Sequence, residues 1–128
     1  KLMYLKPKKH YYSIWPRFYP TSCISFRRNF FKNFLKFLKK NKYPNLEIDA
    51  RLSIFAYQKN KFFITKKNLT NYNFDKSGIS SRYNKFSISW WKKRNEAFDY
   101  LMKLNRKLKI KFIYSIDYFL TKLIIFFI

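Results

Sequence analysis

Leu46–Phe55 reads LEIDARLSIF, and the conformation of this stretch decides the fold. Leu46, Ile48, Ala50, Leu52 and Ile54 alternate with Glu47, Asp49, Arg51 and Ser53. A period of two predicts a β-strand with one buried face. Working outward, KNKFFITKK (59–67) follows after Tyr57 and Gln58 as a second strand. NLTNYNFDKSGISS (68–81) is polar, rich in Asn and Ser, and holds the only glycine, Gly78, which marks a loop or hairpin tip. RYNKFSISW (82–90) returns as a strand with Phe86, Ile88 and Trp90 on one face. Upstream, TSCISF (21–26) suits a short strand, and downstream KIKFIYSI (109–116) alternates as a last one.

Two segments carry the other period. RRNFFKNFLKFLKKNKYP (27–44) has Phe30, Phe31, Phe34, Leu35, Phe37 and Leu38 at helical spacing, with Lys32, Lys36, Lys39 and Lys40 largely opposite, and Asn41 and Pro44 close it. EAFDYLMKL (96–104) is helical with Phe98, Leu101, Met102 and Leu104 inward. The order strand, helix, two strands, helix, strand predicts an α+β fold. It is the split β-α-β-β-α-β (ferredoxin-like) sheet with two helices on one face. Three parts follow: a basic extended arm over 1–21, broken by Pro7, Pro16 and Pro20; one domain over 22–116; and an apolar tail over 117–128.

Charge sets the function class. Twenty-nine lysines and arginines stand against six acids, a formal net charge of +23 on 128 residues, with 16 Phe and 11 Tyr among them. Such self-repulsion calls for a polyanion, and nucleic acid is the first expectation. The 48% hydrophobic content supports a real core. The excess of Lys, Asn, Ile, Phe and Tyr, all with codons made largely of A and T, points to an AT-rich gene such as mitochondrial or apicoplast-like genomes and a few AT-biased nuclear genomes carry, and a mitochondrial location is the first expectation. The single Cys23 excludes an internal disulfide and a cysteine zinc site, and the single His10 excludes a histidine-pair metal site. No cofactor, metal or catalytic activity is expected. Glu47 and Asp49 read as solvated or lysine-paired acids, not a catalytic pair. The run LTKLIIFFI (120–128) is too short for a bilayer and is interrupted by Thr121 and Lys122. With Trp90 and Trp91 it offers apolar surface for docking on another protein.

The order of elements and several short motifs resemble the family of the tenth small-subunit ribosomal protein (S-ten), of the divergent, organellar type. In DYLMKLNRKLKIKF (99–112), Asp99, Leu101, Met102, Lys103 and Leu104 match a V-D-A-L-M-K-L-D run that precedes a strand in that family. Asn84 and Lys85 in RYNKFSIS fall on the basic pair of its T-H-K-R-L-I-D-I strand. SIFAYQKNKFFI (53–64) lies where that family has P-I-P-L-P-T-K-K-K-R-Y-T-V, with Lys59 and Lys61 on basic positions but Ser53, Phe55 and Tyr57 in place of the prolines. Asn71 falls on the Asn of P-H-V-N-K-K. A second resemblance is to the S-fourteen family, through Asn71, Tyr83, Lys85, Phe86 and Ser89, without its G-x-x-P-G-x-x-K-x-S-W ending.

The first resemblance implies a structural, rRNA-binding protein of the head of the small ribosomal subunit, here mitochondrial, beside S-three-like and S-fourteen-like neighbours. The family's long basic hairpin, carried onto residues 46–90 with its tip near 66–81, would enter the RNA. Lys59, Lys61, Lys66, Lys67, Lys76, Arg82 and Lys85 would neutralise phosphates, Asn68 and Asn71 would donate to backbone oxygens, and Tyr72 would stack on an unpaired base. Lys6, Lys8 and Lys9 of the arm would lie along the backbone. Arg27 and Arg28, awkward at a helix start, would be reconciled by a bound phosphate. The competing class is a membrane-peripheral accessory subunit of a respiratory complex, built from the same basic body and apolar tail. A DNA-compacting protein ranks third, with no DNA-reading module in the sequence.

Overall fold

The computed structural model describes residues 2–4, 24–38, 42–65 and 84–128. Among these the chain is helical: β1 (Leu2–Tyr4), α1 (Arg28–Leu35), α2 (Ile48–Gln58), β2 (Phe63–Thr65), α3 (Ile88–Leu108) and α4 (Ile116–Phe126). The expected ferredoxin-like α+β sheet is not formed. The strand pairing among the described residues is one antiparallel ladder of β1 with β2, running from Leu2 opposite Thr65 to Tyr4 opposite Phe63.

The deciding stretch is helix α2, not a strand. Exposure refutes the alternation directly, since Ile48, assigned to the inner face, is 52% exposed and Ser53, assigned to the outer face, only 3%. Ala50, Leu52, Ile54, Phe55 and Ala56 are all buried as well, so the last two turns are covered nearly all round. A helix enclosed in this way loses the 3.6-residue contrast between faces, and a chance period of two can stand out in its sequence. Ala, Leu and Arg within it favour helix, and the Asp49 carboxylate accepts from the Ala50 amide in the first turn, where negative charge is stabilising. Asn60 (φ 53°) ends the helix in the left-handed region, with the Lys61 amide donating to the Ala56 carbonyl. This is a Schellman closure.

The expected strand over 82–90 is likewise overturned where it is described. Residues 84–87 form a turn, and Ser87 caps α3 by accepting from the Trp90 amide at 3.2 Å. Helix α3 then runs 21 residues, absorbing the shorter helix read at 96–104. It ends in a second Schellman closure. The Ile110 amide bonds the Asn105 carbonyl, and Lys109 (φ 55°, ψ 37°) takes the position that glycine usually fills. That closure prevents 109–116 from forming the last strand, and residues 110–115 cross irregularly to α4. The segment over 24–26 is irregular rather than a strand, and the 46–90 hairpin has no strand at 46–55 or at 84–90 to carry it.

The core lies where α1 and α3 close over α2. Phe55 is its centre, with the rings of Phe30, Phe34 and Phe37 at 5.3, 5.6 and 5.1 Å, and Leu46, Ala97, Tyr100, Leu101 and Leu104 completing the cluster. Such tilted aromatic pairs add to the burial of apolar area. The expected apolar tail is helix α4, packed against α3.

Candidate nucleic-acid interface

Acidic side chains are the scarce resource in this chain, and each one described is engaged within the fold. Glu96, on α3, accepts from the Asn45 and Leu46 amides at 2.8 and 3.1 Å and from the Asn45 side chain at 2.6 Å, which fastens the entry of α2 to α3. Glu47 pairs with Lys93 at 2.6 Å. Asp117 pairs with Arg94 at 2.6 Å and Asp99 with Lys122 at 2.8 Å, both joining α3 to α4. Asp49 accepts from the Ala50 amide in the first turn of its own helix.

The cations divide accordingly. Lys93, Arg94 and Lys122, which have carboxylate partners, are half-buried. So is Arg51, whose guanidinium donates to the Leu46 and Tyr43 carbonyls. Burial pushes the Arg94 guanidinium below its usual range, with Asp117 opposing the shift. Exposed instead are Arg27, Arg28, Lys32, Lys36, Lys42, Lys59, Lys61, Lys85, Lys92, Arg106, Lys107, Lys109 and Lys111. Among the described residues the fully exposed charges are therefore cationic, while the attractive pairs stitch the helices together.

Of the residues expected to bind RNA, five lie in the described structure, and all five are exposed. Arg27 and Arg28 stand at the start of α1, which has no acid in its first turn. Lys59 and Lys61 close α2, and Lys85 sits in the turn before α3. They occupy helix ends rather than the strands of one hairpin. Lys6, Lys8, Lys9, Lys66, Lys67, Asn68, Asn71, Tyr72, Lys76 and Arg82 lie outside the described residues.

A further basic cluster was not foreseen. Lys103, Arg106, Lys107, Lys109 and Lys111 follow one another through the last turns of α3 and beyond it, and Lys42 joins Lys103 and Lys107 around a recess that Phe37, Tyr43, Tyr100 and Leu104 also line. The signal was the run KLNRKLKIK (103–111), whose charge density is visible without knowing its conformation. Cations suit a helix C-terminus, where the carbonyl dipoles are negative.

A second surface has the opposite character. Helix α4 turns Asp117, Thr121 and Lys122 towards α3. Arg94 bonds the Thr121 hydroxyl at 3.1 Å, and Lys122 also reaches Asn95 at 2.6 Å. Its apolar stripe of Ile116, Phe119, Leu120, Leu123, Phe126 and Phe127 faces outward, each between 48 and 82% exposed. No helix among the described residues is long and apolar enough to cross a membrane, and no described cluster of His, Cys, Asp and Glu could hold a metal ion. Comparison with protein-family models, curated proteins and solved structures finds no match.

Proposed function

We propose that this chain is a structural RNA-binding protein of a ribosome, of the mitochondrial small subunit, that neutralises rRNA phosphates with the exposed ends of its helices. The observation that carries this reading is the partition of charge. The described acids are all engaged within the fold, most of them between helices, and the described surface is left with a dense array of exposed Lys and Arg. Contacts of that kind bind backbone, position the protein and release counterions, and they do not read sequence. The ribosomal class comes from the sequence resemblances together with the composition. The architecture and neighbours that the S-ten resemblance implies rested on a sheet and hairpin that the described residues do not form, and they are not carried over.

In such a particle the outward stripe of α4 meets a helix of a neighbouring protein. Its residues recur at i, i+3, i+4 and i+7, the pattern by which one helix packs on another. A second copy of this chain is disfavoured as that neighbour, because each copy carries +23. The same stripe supports a second reading, an interfacial helix on anionic lipid.

Sedimentation of an organelle lysate on a magnesium-containing gradient decides between them. Migration with the small ribosomal subunit, lost on chelating magnesium, is the expected result. Migration with detergent-solubilised membrane complexes, or co-sedimentation with anionic vesicles but not with RNA, overturns the ribosomal reading.

A further inference from the structure

The recess between the C-terminal half of α3 and the connection from α1 to α2 brings three lysines, Lys42, Lys103 and Lys107, around one hollow. Phe37, Tyr43, Tyr100 and Leu104 complete its lining, and no carboxylate contributes. Its empty volume is about 300 Å³, mostly open to solvent, with little more than a water-sized space enclosed. Tyr100 is 4% exposed, and its hydroxyl is buried with no hydrogen-bond partner among the described residues. Such a group is costly unless something fills the gap. Burial and the neighbouring Tyr43 raise the Tyr100 pKa above the ordinary value of 10.0, against the pull of Arg51. The hydroxyl therefore stays a neutral donor in want of an acceptor.

The ring faces limit what the ligand can be. Lys107 lies over Phe37 at 5.3 Å, and Phe55 packs on that ring at 5.1 Å. Arg51 lies over Tyr43 at 5.6 Å, and Tyr100 meets that ring edge-on at 5.6 Å. Little aromatic surface is left on which a base could stack. What remains is a small, cationic hollow lined in part by Tyr100, whose buried hydroxyl lacks a partner. The pull of helix C-termini accounts for lysines here, but not for three around one hollow beside an unsatisfied hydroxyl.

We propose that this recess is a phosphate site that takes one backbone phosphate of single-stranded RNA, with Lys42, Lys103 and Lys107 around it and the Tyr100 hydroxyl donating to one oxygen. The proposal rests on the RNA-binding reading above and gives it an address.

The test is fluorescence anisotropy of the full chain with a labelled single-stranded oligouridylate at about 0.15 M salt. Tyr100→Phe removes only the hydroxyl. It is expected to weaken binding at least about 10-fold, as for loss of one hydrogen bond to a charged acceptor, without lowering the unfolding midpoint. Lys42→Ala with Lys107→Ala is expected to weaken binding at least about 10-fold, and clearly more than the control pair Lys32→Ala with Lys92→Ala, which loses only the general attraction of two charges. Inorganic phosphate should compete with RNA more weakly in Tyr100→Phe than in the parent. If Tyr100→Phe binds like the parent and the two lysine pairs lose affinity equally, the recess is not a site, while the RNA-binding reading stands. If the parent chain does not bind the oligouridylate in a salt-dependent way, the reading beneath fails as well.

Discussion

Replacing Glu96 by alanine tests how α2 is held as a helix against α3. The carboxylate accepts from the backbone amides of Asn45 and Leu46 and from the Asn45 side chain, across about fifty residues of sequence. Removing it leaves these donors to whatever water can reach them. A hydrogen bond to a charged group contributes about 1.5–3 kcal/mol, but Glu96 is only half-buried, so water offsets part of the loss. A total of about 2–3 kcal/mol is expected, equivalent to roughly 8–12 °C in Tm for a chain of this length. Glu96→Gln keeps one acceptor oxygen but points an amide at the Asn45 side chain, so its cost should fall between. The assay is urea unfolding of the full chain in high salt, which screens self-repulsion, followed by the fluorescence of buried Trp91. The exposed Lys92→Ala on the same helix is the control. Equal midpoints for Glu96→Ala and Lys92→Ala would refute the reasoning, because a strand pairing over 46–55 makes no use of Glu96.

Three shorter predictions test other elements. Lys109→Gly relieves a left-handed residue, worth about 1–2 kcal/mol, less the extra chain entropy of glycine of about 0.5–1 kcal/mol. The unfolding midpoint should therefore rise by a net of about 0.5–1 kcal/mol, and no rise would count against the Schellman closure. Burial raises the pKa of Tyr43, Tyr57 and Tyr100 from 10.0. Above pH 10 the unfolded chain sheds these protons while the folded chain keeps them, so stability falls with rising pH. Absorbance at 295 nm should show tyrosines that ionise only as the fold is lost. Leu123→Glu, on the outward face of α4, should leave helix content and the unfolding midpoint within about 0.5 kcal/mol of the parent. Its migration with the ribosomal particle should nevertheless be reduced, and undiminished migration would show that the stripe is not a docking face.

The parts of the fold legible in the sequence are those where one face stays in contact with water. Helix α1 could be read because Phe30 and Phe34 recur at helical spacing while Lys32 and Lys36 face outward. The middle of α3 could be read because Phe98, Leu101 and Leu104 recur in the same way. α2 could not, since burial nearly all round erases the contrast on which periodicity depends. The start of α3 was disguised by SISWW, whose alternation and bulky residues suit a strand. There Ser87, three residues before the amide it caps, was the cue against that reading. Once α2 and the start of α3 are misread, the strand-and-helix order of a ferredoxin-like sheet follows from the error. For the candidate site, the charge set the expected chemistry, and Arg27, Arg28, Lys59, Lys61 and Lys85 are exposed. The recess was hidden because Lys42 and Lys107 meet only through tertiary packing.

Helix α4 shows how the charge excess and the fold constrain each other. A helix with six large apolar residues on one side would ordinarily turn that side inward, at about 1.5–3 kcal/mol for each side chain buried. Here the inner side is instead shared by Asp117, Thr121 and Lys122, which complete contacts with Arg94, Asn95 and Asp99, and by Tyr118, whose ring meets Phe98 edge-on at 5.2 Å. Arg94 is the reason that reversal is not readily undone. Its guanidinium lies over the rings of Trp90 and Phe98 at 5.1 and 5.7 Å and is desolvated there. Removing Asp117 would strand that charge, a far larger penalty than the pair's net contribution. Rotating α4 to hide its stripe would do the same. The stripe therefore stays outside until another surface covers it, and the polar seam behind it keeps it in position to be covered.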